Sequence, residues 1–209
     1  MKFTPKTEAE LAEIVAGLQA PVKLQGGGTR AIGHSIAQDV LDMSGISGVV
    51  DYEPGALTLV AKAGTPIAEI EALLAAEKQR LSFEPMDHRT LLGTQGAPTI
   101  GGAVAANVSG PRRISVGACR DFALGVRFVD GMGRALKNGG RVMKNVTGYD
   151  LVKLMAGSWG TLGAMSEVSL KVMPCPETEA TLALHVADAA VAVETAKEYM
   201  AKKHNQMGA

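Results

Sequence analysis

The chain has 209 residues, enough for one large domain or two small ones, and its 21 Lys plus Arg balance 21 Asp plus Glu. Zero net charge and a single Trp exclude the basic, ring-rich surface on which nucleic acids bind. Cys119 and Cys175 are too few and too far apart for a metal site or disulfide framework. No apolar run reaches a membrane span, and the polar start MKFTPKTEAEL lacks a signal peptide's apolar centre, so a cytoplasmic protein is expected.

In chain order, Thr7 followed three residues later by Glu10 is a capping box. Leu11, Ile14, Val15 and Leu18 then recur at helical spacing, predicting a helix over 7–19 that Pro21 stops. VKLQ is a short strand running into the glycine loop LQGGGTRAIG, and VLDM is a second strand. GVVDY and LTLVAKAG form two more, joined at the turn Glu53-Pro54-Gly55. Thr65-Pro66 opens a helix through Ala76, with Pro at its first position. The stretch SFEPMDHRTLLGTQGAP has little periodicity and reads as a binding loop. A hairpin follows, FALGVRFVD and RALKNG around Gly131-Met132-Gly133. Next come a helix over 150–156 ended by Gly157 and a strand carrying Met165, Val168, Leu170 and Val172. The tail predicts a strand over 181–186 and a helix over 188–203. Leu182, Leu184, Val186, Val193, Ala196 and Met200 are its expected buried set.

The 25 glycines exceed the usual share of about 7% and call for a structural reason. They concentrate in GGGT, at 26–29, and in TIGGAVAANVSGPRR, at 99–113. Successive amides of GGGT can converge on an anion without any Lys or Arg, and TIGG reads as a loop opening a short helix whose first amides have no intrahelical partner and so are open to a phosphate. Together they suggest two walls of one phosphate site. Taken alone, GGGT reads equally as a tight turn. Neither segment is a P-loop, and neither has the order of strand, glycine fingerprint and acidic residue that a Rossmann unit needs.

The ordered set GGGT, TIGG-A-AAN-SG and KNVTGYDLVKLMAGSWGTLG resembles the PCMH-type FAD-binding domain of the vanillyl-alcohol oxidase superfamily. Because of RVMKNVTGYDL, the likeness lies with its glycolate-oxidase E-subunit branch. The resemblance covers residues 7–176. It implies an α+β fold of two lobes, about 1–51 and 52–176, with FAD between them and the start of a cap domain over 177–209. Carried over by position, it implies that Gln25, Gly26, Gly27, Gly28 and Thr29 hold the pyrophosphate and that Gly33 shapes the same loop. Pro85 would border the isoalloxazine. Thr99, Gly101, Gly102, Asn107, Ser109 and Gly110 would form the second wall. Tyr149, Gly160, Thr161, Gly163, Glu167 and Val168 would line the adenosine end, although Tyr149 and Trp159 serve equally as packing residues.

Some relatives attach FAD through a His in the first loop. Thr29 stands there in this chain and His34 lies further on, so noncovalent FAD is expected. Relatives that oxidise 2-hydroxy acids place catalytic His and Arg largely in the cap, so no catalytic residue is assigned here. The implied role is an FAD-binding subunit of a glycolate-oxidase-like complex, with a catalytic flavoprotein and an iron–sulfur subunit as partners, cytoplasmic or peripheral to the inner membrane through them. A non-catalytic assembly subunit that keeps its FAD, or an independent flavin oxidoreductase of the same fold, are the alternatives.

Overall fold

The computed structural model describes residues 1–33, 35–141, 148–181 and 183–206. The chain divides into two units, Met1–Cys175 and Pro176–Ala209.

In the first unit, strand β1 (Lys2–Phe3) precedes helix α1 (Glu8–Gly17), which Thr7 caps by accepting from the Glu10 amide. Glu10 reaches back to the Lys6 amide at 2.8 Å, one residue before the cap itself. Strands β2 (Val22–Gln25) and β3 (Asp39–Asp42) pair in parallel, and β1 joins the other side of β3, giving a three-stranded parallel sheet. Leu11 of α1 packs on Leu41, Met43 and Ile46, and this small core also takes in Val129 and Ala164. The glycine loop leaves the carboxyl end of β2.

The second sheet is antiparallel and five-stranded, ordered β4-β5-β9-β7-β8. Its strands are β4 (Val49–Glu53), β5 (Thr58–Lys62), β7 (Ala123–Val129), β8 (Ala135–Gly139) and β9 (Ala164–Lys171), and a two-stranded pairing joins β6 (Gln79–Arg80) to β10 (Met173–Pro174). Helices α2 (Ile67–Ala76), α4 (Ile100–Ala105) and α7 (Leu151–Met155) contribute to the main core. Ile70, Leu74, Ile100, Val104 and Met155 meet Leu59, Val168 and Leu170 there. Short helices α3 (Arg89–Leu92), α5 (Arg113–Val116) and α6 (Cys119–Phe122) punctuate the connections. Asp150 caps α7 by accepting from the Lys153 amide at 3.1 Å. The fold is therefore α+β, as the resemblance implied.

One polar cluster ties α1 to the large sheet. The Glu8 carboxylate accepts from Arg127 on β7, at 2.5 and 3.0 Å, and from Ser166 Oγ on β9 at 2.5 Å. The hydrogen bond from Arg127 outweighs burial and holds the Glu8 carboxyl below its ordinary value. A carboxyl depressed in the folded state stabilises the fold above its unfolded pKa, and that contribution is lost as pH falls through the lower folded value. Glu8→Gln should therefore cost about 1 kcal/mol near neutral pH, the pair being partly exposed and screened. The gap from the parent chain should close on acidification. Urea midpoints measured from pH 7 down to pH 3 check this; a gap that does not change with pH contradicts it.

The second unit holds helix α8 (Ala189–Gln206). Residues 181 and 183–186 form no strand, contrary to the alternation of Leu184 and Val186, and Leu182 lies outside the described residues. A strand needs a neighbouring backbone to complete its ladder, and alternation of side chains does not by itself supply one. Taken by itself the unit leaves Leu184, Val186, Val193 and Ala196 exposed, where burial was expected. No helix among the described residues is long and apolar enough to cross a membrane.

Candidate functional site

The two glycine-rich segments lie side by side in the first unit and line one cleft. Its walls are Gln25 through Ala31 on one side and Thr99, Gly101, Gly102 and Ala105 on the other, closed by Trp159, Gly160 and Gly163. At Gly27 and Gly96 the two loops meet backbone on backbone. A Cβ at Gly27 would overlap the Ala97 carbonyl, and one at Gly96 would overlap the Gly27 carbonyl, so no side chain fits between these loops. Thr94 Oγ1 fastens the same join by donating to the Thr29 carbonyl at 2.9 Å.

The walls differ in what they offer a ligand. The expectation that α4 presents unpaired amides does not hold. Ile100 N donates to Thr65 O (2.9 Å), Gly101 N to Ala63 O (2.8 Å) and Gly102 N to Thr99 Oγ1 (3.3 Å). The first two lay the segment along residues 63–67, and the third is taken by the Thr99 cap. In the first loop, by contrast, the amides of Gly27, Gly28 and Thr29 donate to no acceptor among the described residues. The anion-binding capacity therefore sits in GGGT, and α4 supplies a close apolar wall.

Gly101 and Gly102 divide that work. A Cβ at Gly101 would stand 2.6 Å from Ala63 Cβ and 2.7 Å from Ala63 O, so this glycine lets α4 pack down. At Gly102 the same atom would meet only side-chain ends, Thr99 Oγ1 at 3.1 Å and Arg30 Nη1 at 3.8 Å, and would project into the cleft. That room, in the same cleft as the unpaired amides of the glycine loop, fits a phosphate-bearing group.

Ten of the sequence-derived site residues line this cleft: Gln25, Gly26, Gly27, Gly28, Thr29, Thr99, Gly101, Gly102, Gly160 and Gly163. The others stand elsewhere. Gly33 is exposed in the same loop, with φ 77. Pro85 borders a separate hollow with Met86, Gly110 and Cys175. Asn107 accepts from the Arg120 amide through Oδ1, and Ser109 Oγ accepts from the Cys119 amide, both at 2.9 Å, so these two fasten α6. Gly110 packs against Glu84. Tyr149 is 88% exposed and Thr161 is also on the surface. Glu167 lies within β9, and Val168 is fully buried in the main core. His34 and residues 142–147, including the first half of the KNVTGYDL motif, are outside the described residues.

Pattern reading did not assign Arg30 to the cleft. Its guanidinium donates from Nε to His88 Nδ1 at 3.1 Å and from Nη2 to Met86 O at 3.2 Å, and burial lowers its pKa somewhat. An Arg following a glycine loop carries no sequence signal of where it points, since its partners lie almost sixty residues on. Trp159, half exposed with φ 54, lines the cleft as well as packing. Behind α4, burial pushes the Cys119 thiol up to about 12, so it stays protonated and unreactive.

Two walls of backbone, one with open amides and one with room at a glycine, define a domain built to hold the phosphates of a dinucleotide. The chain matches the model of the FAD binding domain over residues 1–139 and belongs to that family. It is 42% identical over 165 residues to glycolate oxidase subunit GlcE of Escherichia coli (strain K12), covering 78% of this chain and 45% of that protein. It is 28% identical over 207 residues to glycolate oxidase subunit GlcD of Bacillus subtilis (strain 168), covering 96% of this chain and 43% of that one. The D-lactate dehydrogenase of Archaeoglobus fulgidus is 30% identical over 154 residues, covering 74% of this chain and 33% of that protein. Among solved structures, an alkyldihydroxyacetonephosphate synthase shares the fold with a TM-score of 0.67 at 22% identity, over 85% of this chain and 32% of that one. The chain thus spans less than half the length of each of these relatives.

Proposed function

We propose that this chain holds FAD noncovalently in the cleft and forms the FAD-binding part of a glycolate-oxidase-like complex that oxidises glycolate or a similar 2-hydroxy acid. The observation that carries the reading is the pairing of the open amides of Gly27, Gly28 and Thr29 with the room at Gly102. Charge-assisted hydrogen bonds from backbone amides contribute about 1.5–3 kcal/mol each, so three offset a large part of the cost of association, and contacts along the rest of the dinucleotide supply the remainder. Bound FAD supplies two-electron redox chemistry. The chain's own residues bind it and fix its position.

Support for the substrate class comes from the likeness to GlcE, GlcD and D-lactate dehydrogenase. A catalytic flavoprotein and an iron–sulfur subunit are the partners proposed on the same ground. The noncovalent attachment rests on Thr29, 4% exposed, whose side chain offers no ring nitrogen for a bond to the flavin. Acid precipitation of the purified complex tests the attachment: flavin from this subunit should stay in the supernatant as FAD, and flavin in the pellet with this chain refutes it. Anaerobic glycolate added to the same complex should bleach flavin. A complex that glycolate leaves fully oxidised counts against the substrate class while leaving the cofactor assignment standing.

A further inference from the structure

Arg30 is half-buried, and among the described residues no carboxylate lies within ion-pair distance of it. The nearby Asp87 is taken by Arg89, which binds it through Nε and Nη2 at 2.9 and 2.6 Å. Asp87 therefore acts on Arg30 only at longer range, and a partly desolvated guanidinium with no ion-pair partner of its own favours an anion beside it. Two contacts hold the group in place, Nε to His88 Nδ1 and Nη2 to Met86 O, and neither neutralises the charge. Nη1 makes no hydrogen bond to a described residue and lies 3.8 Å from where a Cβ at Gly102 would project. The free end of the cation thus faces the room opposite the open amides of the glycine loop.

We infer that Arg30 is the cleft's anion-binding cation, donating from Nη1 to a phosphate oxygen of the bound dinucleotide, and that His88 is the positioning residue that aims it. This rests on the FAD reading for the identity of the ligand, and on the geometry alone for the class of group, a phosphate. A loop of amides can hold a pyrophosphate without a charged side chain. Here the planar guanidinium adds a charge-assisted bond with fixed direction. His88 can serve only with Nδ1 as acceptor, which puts the ring proton on Nε2.

The test is FAD affinity of the full chain, read by quenching of flavin fluorescence, in the parent and in Arg30→Gln, His88→Ala and His88→Asn. Arg30→Gln should weaken FAD binding roughly 10- to 100-fold, the worth of one or two charge-assisted bonds, and flatten the dependence of affinity on salt. His88→Ala should produce part of that loss. His88→Asn, whose side-chain carbonyl can accept from Nε, should recover most of it. A second readout is the melting temperature in millimolar inorganic pyrophosphate, which should rise for the parent and not for Arg30→Gln. Arg30→Gln binding FAD within about threefold of the parent, with an unchanged salt dependence, overturns the assignment of Arg30. A parent chain that binds no FAD but is stabilised by pyrophosphate through Arg30 sinks the flavin reading and leaves the anion site. Should Arg30→Gln fail to fold, Arg30→Lys and the His88 pair decide the matter: equal affinities for all three and the parent reject the proposal.

Discussion

Gly102→Val should abolish FAD binding while leaving the apo fold near its original stability. The position is helical with ordinary φ, and valine costs an exposed helix no more than glycine does. A Cβ there has Thr99 Oγ1 at 3.1 Å and Arg30 Nη1 at 3.8 Å as its nearest neighbours; the arginine end can move freely, and Thr99 must give by a few tenths of an ångström, loosening the α4 cap slightly. The two γ-methyls would then occupy the space facing the amides of Gly27 to Thr29. Loss of close approach to two or three charge-assisted bonds predicts at least a 100-fold fall in affinity. Melting of apo and FAD-saturated protein separates this from simple damage. The apo variant should melt within a few degrees of the parent, and FAD should raise the parent's melting temperature but not the variant's. Equal stabilisation of both by FAD would show that Gly102 does not face the cofactor.

Gly27→Ala should do the opposite, damaging the fold itself. The added methyl would overlap the Ala97 carbonyl, and backbone on both sides leaves nothing flexible to move. Overpacking commonly costs about 1–3 kcal/mol, and a backbone clash belongs at or beyond the upper end. For a domain of this size that lowers the melting temperature by roughly 6–12 °C or more. FAD affinity should fall too, because separating the loops moves the amides. A variant that melts within about 2 °C of the parent would mean that the loops are not in contact at this point.

These two glycines show what the sequence could and could not tell. GGGT was legible as a loop with exposed amides, and TIGG as the opening of a short helix, because glycine density and the Thr99 cap are local signals. Which glycines serve packing and which serve a ligand was not legible. That distinction depends on Ala63 beneath Gly101 and Ala97 against Gly27, contacts made by the tertiary fold. The expectation of free amides at α4 failed for the same reason at Ile100 and Gly101, whose acceptors, Thr65 O and Ala63 O, come from another segment, while Gly102 N is taken by the local Thr99 cap. Arg30 passed unnoticed because its direction is set by His88 and Met86. Asn107, Ser109 and Gly110 carry motif positions, yet here they fasten α6 and the chain around Glu84.

Elsewhere local pattern was enough. Thr7 caps the helix expected of it, and the hairpin of β7 and β8 turns where its glycines stand. The tail is the counter-example. Leu184 and Val186 alternate as a strand should, but alternation only states which face would be buried once a neighbouring strand exists.

The most direct test is a calorimetric titration of FAD into the chain after its flavin has been stripped. One FAD should bind per chain, with an affinity that Gly102→Val removes and that salt weakens. Absence of binding to a folded, stripped parent chain, or equal binding by parent and variant, would contradict a cofactor held between the glycine loop and α4.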